Sequence, residues 1–286
     1  MKFFLKQILV FIIFLIATLF LIYKVIDIKS SFVSSDNALF IYGDSQSLQG
    51  LDLKELNRET GFDIYSAARH GAGIYDFYVF IDKVPDNSRV LLSISKLSQV
   101  RPFDYESNTS PFNVNALYSL YSVDYNINDL KKIIMRVIKF PTQDFYINNY
   151  KLYPSYDSLT INQPISTFKE RYSIPLNDLV KKQELYLFGI KKLIKKNCNI
   201  TFIEFPYHST LNNIDENSHL QDNFINFRVS ISSLYSNFKI DTLQFNKDKN
   251  IMYDFSHLNY RGANLLTKKL AERINVKQNP TMYIVH

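Results

Sequence analysis

Three residues, one of them far in the chain from the other two, have the types and settings that acyl-transfer chemistry needs. Ser45 stands in FIYGDSQSLQG, residues 40 to 50, where an apolar run stops on Gly43 and gives way to Asp44, Ser45 and Ser47. Such a stretch makes a turn, since glycine supplies unusual dihedrals and Asp or Ser bonds the nearby backbone. The alternative is a nucleophile displayed at the end of a strand, and the rest of the chain decides between the two. Asp254 and His257 stand three apart in MYDFSHLNYRGANLL, immediately before a helical pattern. A carboxylate that bonds one imidazole nitrogen fixes the tautomer and leaves the other nitrogen as a general base. A serine hydroxyl needs that base, because its own pKa makes it a poor nucleophile at neutral pH.

For these three to meet, the chain between them must bring both segments to one edge. ALFIYG is a compact apolar strand, followed by a polar segment with Leu51, Leu53 and Leu56 on its apolar side. FDIYSA is a second strand, GIYDFYVFIDKV a helix with Ile74, Phe77, Tyr78 and Ile81 inward, and RVLLSIS a third strand. This alternation predicts an α/β domain, a parallel sheet with helices on both faces. Residues 101–175 break the rhythm with many Tyr, Asn and Ser, and one helix from Asn128, as N-cap, to Phe140, stopped by Pro141. The segment follows a strand end, where ligand sites gather in open α/β sheets, and reads as an insertion or lid. Asn177 then caps a long helix with Leu179, Tyr186, Ile190 and Leu193 on one side. ITFIEF is a strand, residues 221–234 a helix, and Tyr260 to Ile274 a last amphipathic helix with Leu265, Leu266, Leu270 and Ile274 inward. Ser45 ends the first strand and His257 precedes the last helix, so both can reach the carboxyl edge of one sheet.

The two blocks YGDSQS and YDFSHLNYRGANLL resemble the SGNH (GDSL-like) hydrolases, and especially the membrane-anchored branch associated with polysaccharide O-acylation. The resemblance covers most of residues 37–275 outside the insertion and implies a three-layer domain with Ser45 as nucleophile, His257 as base and Asp254 as its orienter. It also implies an oxyanion hole built from the Ser45 backbone N–H and a glycine of SAARHGAGIYDF, either Gly73 or Gly71. The family's third block, Gly-x-Asn-Asp, supplies a further oxyanion donor; here LLSISKLSQ stands in its place, with Ser95, Lys96 and Gln99 as the polar substitutes. A lost oxyanion donor costs roughly a hundred- to a thousandfold in rate. Two functions therefore stay open: a serine esterase or O-acyltransferase acting on an acylated glycan or polysaccharide, served by a membrane-embedded acyl donor protein, or a non-catalytic glycan-binding or assembly factor of the same fold.

Composition narrows the partners. One cysteine, Cys198 at the head of an apolar run, excludes an internal disulfide framework and a Cys-rich zinc site. The five histidines show no His-x-x-x-His pair, so no metal and no other cofactor is expected. The net charge of +6 is spread through helical stretches such as DLKKIIMRVIK and VKKQELYLFGIKKLIKK, where Lys reads as the solvated face, and no nucleic-acid motif accompanies it. Arg69, His70, Lys96, Arg101 and His208 are candidates for the cleft, against ordinary loop residues, and the Tyr-rich insertion offers rings for sugar stacking, against packing the loop down.

The N-terminus carries Lys2 and Lys6 and then an uncharged run from Gln7 to Tyr23. Extended to Ile26 with Lys24 snorkelling, it reaches the roughly 20 residues that cross a bilayer, and no small-x-small cleavage site follows. The expected organisation is a cytoplasmic stub at 1–6, a transmembrane signal anchor at 7–26, a linker at 27–36 and an extracytoplasmic domain at 37–286.

Overall fold

The computed structural model describes residues 6–11, 13, 14, 17, 18, 37–101, 103, 106, 110, 111, 113–123, 127–139, 152–154, 175–208, 218–243, 249–274 and 280–285. Short runs rich in β-branched and aromatic residues form six strands: β1 (Ala38–Tyr42), β2 (Asp63–Ser66), β3 (Arg89–Ser93), β4 (Asn199–Glu204), β5 (Lys239–Leu243) and β6 (Thr281–Val285). They make one sheet in the order β2-β1-β3-β4-β6-β5, and every pairing is parallel. The helices are α1 (Ser45–Gly50), α2 (Leu53–Thr60), α3 (Ile74–Lys83), α4 (Lys96–Val100), α5 (Val114–Tyr121), α6 (Ile127–Lys139), α7 (Leu176–Lys195), α8 (Ser218–Ser232) and α9 (Tyr260–Ile274).

Side chains of a strand alternate between faces, and β1, buried along its whole length, shows what covers each. Leu39 and Ile41, with Leu91, Ile203 and Tyr283 of the neighbouring strands, share a core with Leu56 of α2 and Leu266 and Leu270 of α9. On the opposite face the Tyr42 ring lies 5.0 Å from Phe77 and 5.4 Å from Phe80 of α3, and Phe77 lies 5.2 Å from Tyr186 of α7. The α/β class read from the strand–helix alternation is the observed one, with helices packed on both faces.

Several element expectations change. The C-terminal strand β6 and the edge strand β5 were not anticipated; β6 lies inside the sheet, between β4 and β5. The long helix α7 starts one residue before Asn177, with Pro175 at the capping position, so Asn177 lies in the first turn instead of capping it. Proline's fixed φ and missing N–H suit the residue that leads into a helix. Asn128 likewise falls inside α6, which begins at Ile127. Within residues 101–175 a further helix, α5, is capped by Asn113, whose side chain accepts from Ala116 N at 2.9 Å. Helix α8 begins three residues before the expected 221. Cys198 is buried, as a small hydrophobe in that run should be.

The chain divides into two compact units, Met1–Val33 and Ser34–His286. In the first, the described residues 6–11, 13, 14, 17 and 18 are helical. The rest of the expected anchor at 7–26, and nearly all of the linker at 27–36, lie outside the described residues. Among the described residues no helix is long and apolar enough to cross a membrane.

Candidate active site

β1 delivers the candidate nucleophile through a tightly packed turn. A methyl group on Gly43 would overlap Ser47 Oγ and sit 2.8 Å from Ser93 Cβ at the end of β3, so glycine alone lets the two strand ends lie this close. Asp44 then opens α1 as its N-cap, with Oδ1 accepting from Gln46 N at 2.9 Å. Ser45 is the first residue of that helix and is 9% exposed.

The candidate base comes from a folded loop before α9. Met252 and Leu258 form an antiparallel bridge, and Tyr253 N donates to His257 O at 2.8 Å. Asn259, fully buried, fixes the exit: its Nδ2 donates to Asn250 O at 2.6 Å while its Oδ1 accepts from Gly262 N at 3.1 Å as the cap of α9. Inside this loop Asp254 Oδ1 accepts from the backbone N–H groups of Ser256 (2.7 Å) and His257 (2.8 Å). Both carboxylate oxygens lie 2.9 Å from His257 Nδ1. Burial on its own would raise the Asp254 pKa; the His257 hydrogen bond and charge, with the two backbone donors, outweigh it and hold the group below its ordinary value. An ionised Asp254 only accepts, so Nδ1 carries the proton and Nε2 is the free acceptor. Ser45 Oγ lies 2.9 Å from that Nε2.

A residue beside the nucleophile locks the two halves together. Gln46 Nε2 donates to Ser256 O at 2.8 Å and reaches Pro206 O at 3.4 Å. His208 N donates to Phe255 O at 2.8 Å, tying the exit of β4 to the same loop.

The loop after β2 runs beside Ser45, with Arg69 N donating to Gly43 O at 3.2 Å. Gly73 is not a free oxyanion donor. Its N–H donates to Asp76 Oδ2 at 3.0 Å as α3 begins, and its carbonyl accepts from Tyr42 OH at 2.8 Å. Gly71 adopts φ +66°, a conformation suited to glycine, and its N–H makes no hydrogen bond among the described residues. Of the two expected glycines, only Gly71 has an N–H not engaged by a hydrogen bond among the described residues.

The third-block substitutes are engaged in packing. Lys96 Nζ donates to Tyr207 OH at 3.1 Å and lies 3.9 Å from Glu204, which holds Arg228 with both oxygens. Ser95 Oγ accepts from Ser98 N at 3.4 Å, and Gln99 Oε1 accepts from Gln183 Nε2 of α7 at 2.9 Å. His70 sits at the exposed edge, 3.5 Å from Gln49 Nε2; partial burial first and His257 second lower its pKa. Arg101, buried, lies 4.0 Å from the buried Asp44 Oδ2. The His208 ring stands 6.2 Å from Phe255.

Two further features escaped sequence reading. Tyr153, of the insertion, stacks on Tyr253 at 3.9 Å with an interplanar angle of 2° and meets the His257 ring at 5.5 Å, nearly perpendicular. At the start of α3 lies a buried ion pair, Lys182 with Glu106 at 2.5 Å. Glu106 Oε2 also accepts from Ile74 N at 3.0 Å, and Lys182 Nζ donates to Arg101 O at 2.7 Å. The expectation that the lysines of α7 lie on its solvated face fails at Lys182, because burial there is compensated by a carboxylate. Among the described residues no group of three or more His, Cys, Asp or Glu could hold a metal ion.

Chemically, the hydroxyl, imidazole and carboxylate form a proton relay aimed at one oxygen. No protein-family model matches the chain, and no curated protein matches it.

Proposed function

We propose that the chain is a serine acyl-transfer enzyme of the SGNH type, an esterase or O-acyltransferase working through an acyl-Ser45 intermediate. The observation that carries this reading is the unbroken line from Ser45 Oγ to His257 Nε2 and from His257 Nδ1 to Asp254, each contact 2.9 Å. His257 takes the Ser45 proton as Oγ attacks the ester carbonyl. The Ser45 and Gly71 N–H groups receive the developing oxyanion. The tetrahedral intermediate then expels the alcohol, which leaves with the proton from His257. Water or a second alcohol next gives its proton to His257 and attacks the acyl-serine, releasing an acid or a new ester and restoring the Ser45 hydroxyl.

The natural substrate in this reading is an acylated glycan or polysaccharide outside the cytoplasm. The apolar run from Gln7 to Tyr23 holds the enzyme at the bilayer, within reach of a membrane-embedded acyl donor protein. These assignments rest on the resemblance of the two sequence blocks and on the apolar N-terminus.

The test is covalent. Full-length protein in detergent is treated with a fluorophosphonate and read by intact mass and peptide mapping. A single adduct on Ser45, lost in Ser45→Ala and strongly slowed in His257→Ala, is expected. A wild type that takes no adduct, or a Ser45→Ala variant that labels equally, refutes the enzyme. One observation favours a second reading, a glycan-binding protein of the same fold: Asp76 occupies the Gly73 N–H, and the third block lacks the Asn donor. Unlabelled protein that still binds glycan would establish it.

A further inference from the structure

The aromatic pair against His257 has no part in the proton relay, yet it stands where one substrate moiety must go. In serine acyl transfer the departing alcohol takes its proton from the imidazole, and the incoming acceptor gives its proton to the same nitrogen. Both oxygens therefore occupy the space beside His257 Nε2. The acyl carbonyl instead points to the backbone donors of Ser45 and Gly71. Asp254 and Ser256 take up the Nδ1 edge of the imidazole, so an aromatic ring packed against it borders the space that the alcohol enters.

What abuts it is Tyr153, perpendicular to the ring at 5.5 Å, stacked in turn on Tyr253 at 3.9 Å. Both tyrosines are half-buried. Tyr253 is held in place by its own N–H bond to His257 O, which fixes the pair relative to the base. Aromatic side chains supply a large, rigid face with few rotamers to lose on binding. Their negative π-face attracts the weakly positive C–H groups that a pyranose presents on one side. A flexible aliphatic alcohol presents no such face.

Resting on the acyl-transfer reading, we infer that Tyr153 and Tyr253 form the alcohol subsite and that the alcohol it selects is a pyranose ring. The insertion thereby contributes a specificity-determining residue, Tyr153, to the centre carried by the α/β domain.

Partitioning of one acyl-enzyme tests this without depending on how fast it forms. Full-length protein is turned over with p-nitrophenyl acetate in the presence of methyl β-D-glucopyranoside or, in parallel, propan-1-ol. The ratio of acetylated alcohol to free acetate is read by NMR. The wild type is expected to favour the pyranoside over propan-1-ol at equal concentration. Tyr253→Leu and Tyr153→Leu, which keep apolar bulk but remove the ring, should lower the pyranoside ratio roughly three- to tenfold, the scale of one aromatic contact. Tyr153→Phe should restore it, and the propan-1-ol ratio should move far less in every variant. A wild type that does not distinguish the two alcohols overturns the inference and needs no variant to do so. Equal falls for both alcohols in the Leu variants overturn it too, since they mark a positioning role for the loop. A missing fluorophosphonate adduct would end the acyl-transfer reading itself; an adduct without pyranoside preference ends the subsite alone.

Discussion

Replacing Glu106 by Gln isolates the buried charge at the start of α3. Glu106 and Lys182 have side chains only 1% exposed, and the carboxylate does two jobs, pairing with Lys182 and accepting from Ile74 N at the start of α3. The glutamine amide oxygen can keep the Ile74 bond, so the change removes chiefly the negative charge. Lys182 is then left with Arg101 O as its hydrogen-bond acceptor. Breaking a buried pair from one side costs about 3–5 kcal/mol, a large share of the about 5–15 kcal/mol that holds a domain together. At about 2–4 °C per kcal/mol, the melting temperature should fall by roughly 6–20 °C. Burial lowers the Lys182 pKa already, with Glu106 opposing the shift, so without Glu106 it must fall further. A lysine with a folded pKa below its unfolded value binds fewer protons when folded. Stability therefore rises with pH between the two values, and the deficit of the variant shrinks as alkaline pH neutralises Lys182. The double variant Glu106→Gln/Lys182→Met leaves no unpaired charge and should recover most of the loss. Thermal and urea unfolding followed by circular dichroism from pH 7 to 10 measures all three proteins. A deficit under about 1 kcal/mol, a deficit that grows with pH, or additive losses in the double variant would refute the reasoning.

Gly262→Ala places a methyl group over the Ile251 carbonyl oxygen, a backbone atom that cannot rotate away. The loop holding Asp254 and His257 lies between those two points, so the melting temperature should drop by the equivalent of about 1–3 kcal/mol and fluorophosphonate labelling should slow; unchanged labelling would show the loop tolerates the shift. Asp254 has its pKa lowered from 3.8, so the stability it adds is complete above that value and fades as pH falls through the lower folded one. Acid unfolding of Asp254→Asn should therefore diverge from wild type above the unfolded pKa and converge below the folded one, and a constant gap across that range would contradict the assignment.

The strands flanking the site were legible because each is an apolar run ended by polar residues: β1 before Gly43, β3 before Ser95 and β4 before Pro206. Ser45, Asp254 and His257 were legible for the same reason, since strand ends and pre-helix loops are where a parallel sheet displays side chains. β5 escaped because KIDTL, on the sheet edge, is mostly exposed and polar. β6 escaped because TMYIV follows the last amphipathic helix, and nothing local says that its partners are β4 and β5. Asn259 was readable in principle as the polar residue directly before a helical pattern. Lys182 was not: in a lysine-rich helix, only a carboxylate from the distant Glu106 sets it apart. Gly73 and Gly71 look alike in sequence, and the distinction between them lies in Asp76, three residues into α3, which claims the first. Tyr153 carries no signal within a segment full of tyrosines.

The place of β6 in the sheet constrains how the domain can be made. It is the last described strand in chain order, yet it separates β5 from β4. As the polypeptide is synthesised, β2 and β3 can add to β1 and β4 to β3, each onto a neighbour already present. β5 emerges next with its sheet partner still unmade, and the open edge of β4 has nothing to pair with. Both edges wait for residues 281–285, which close the sheet from its interior and not from its rim. Unpaired edges of this kind are the points at which nascent chains associate wrongly. Interrupted synthesis would release a species with β4 uncovered, whereas a finished chain seals it in one late step.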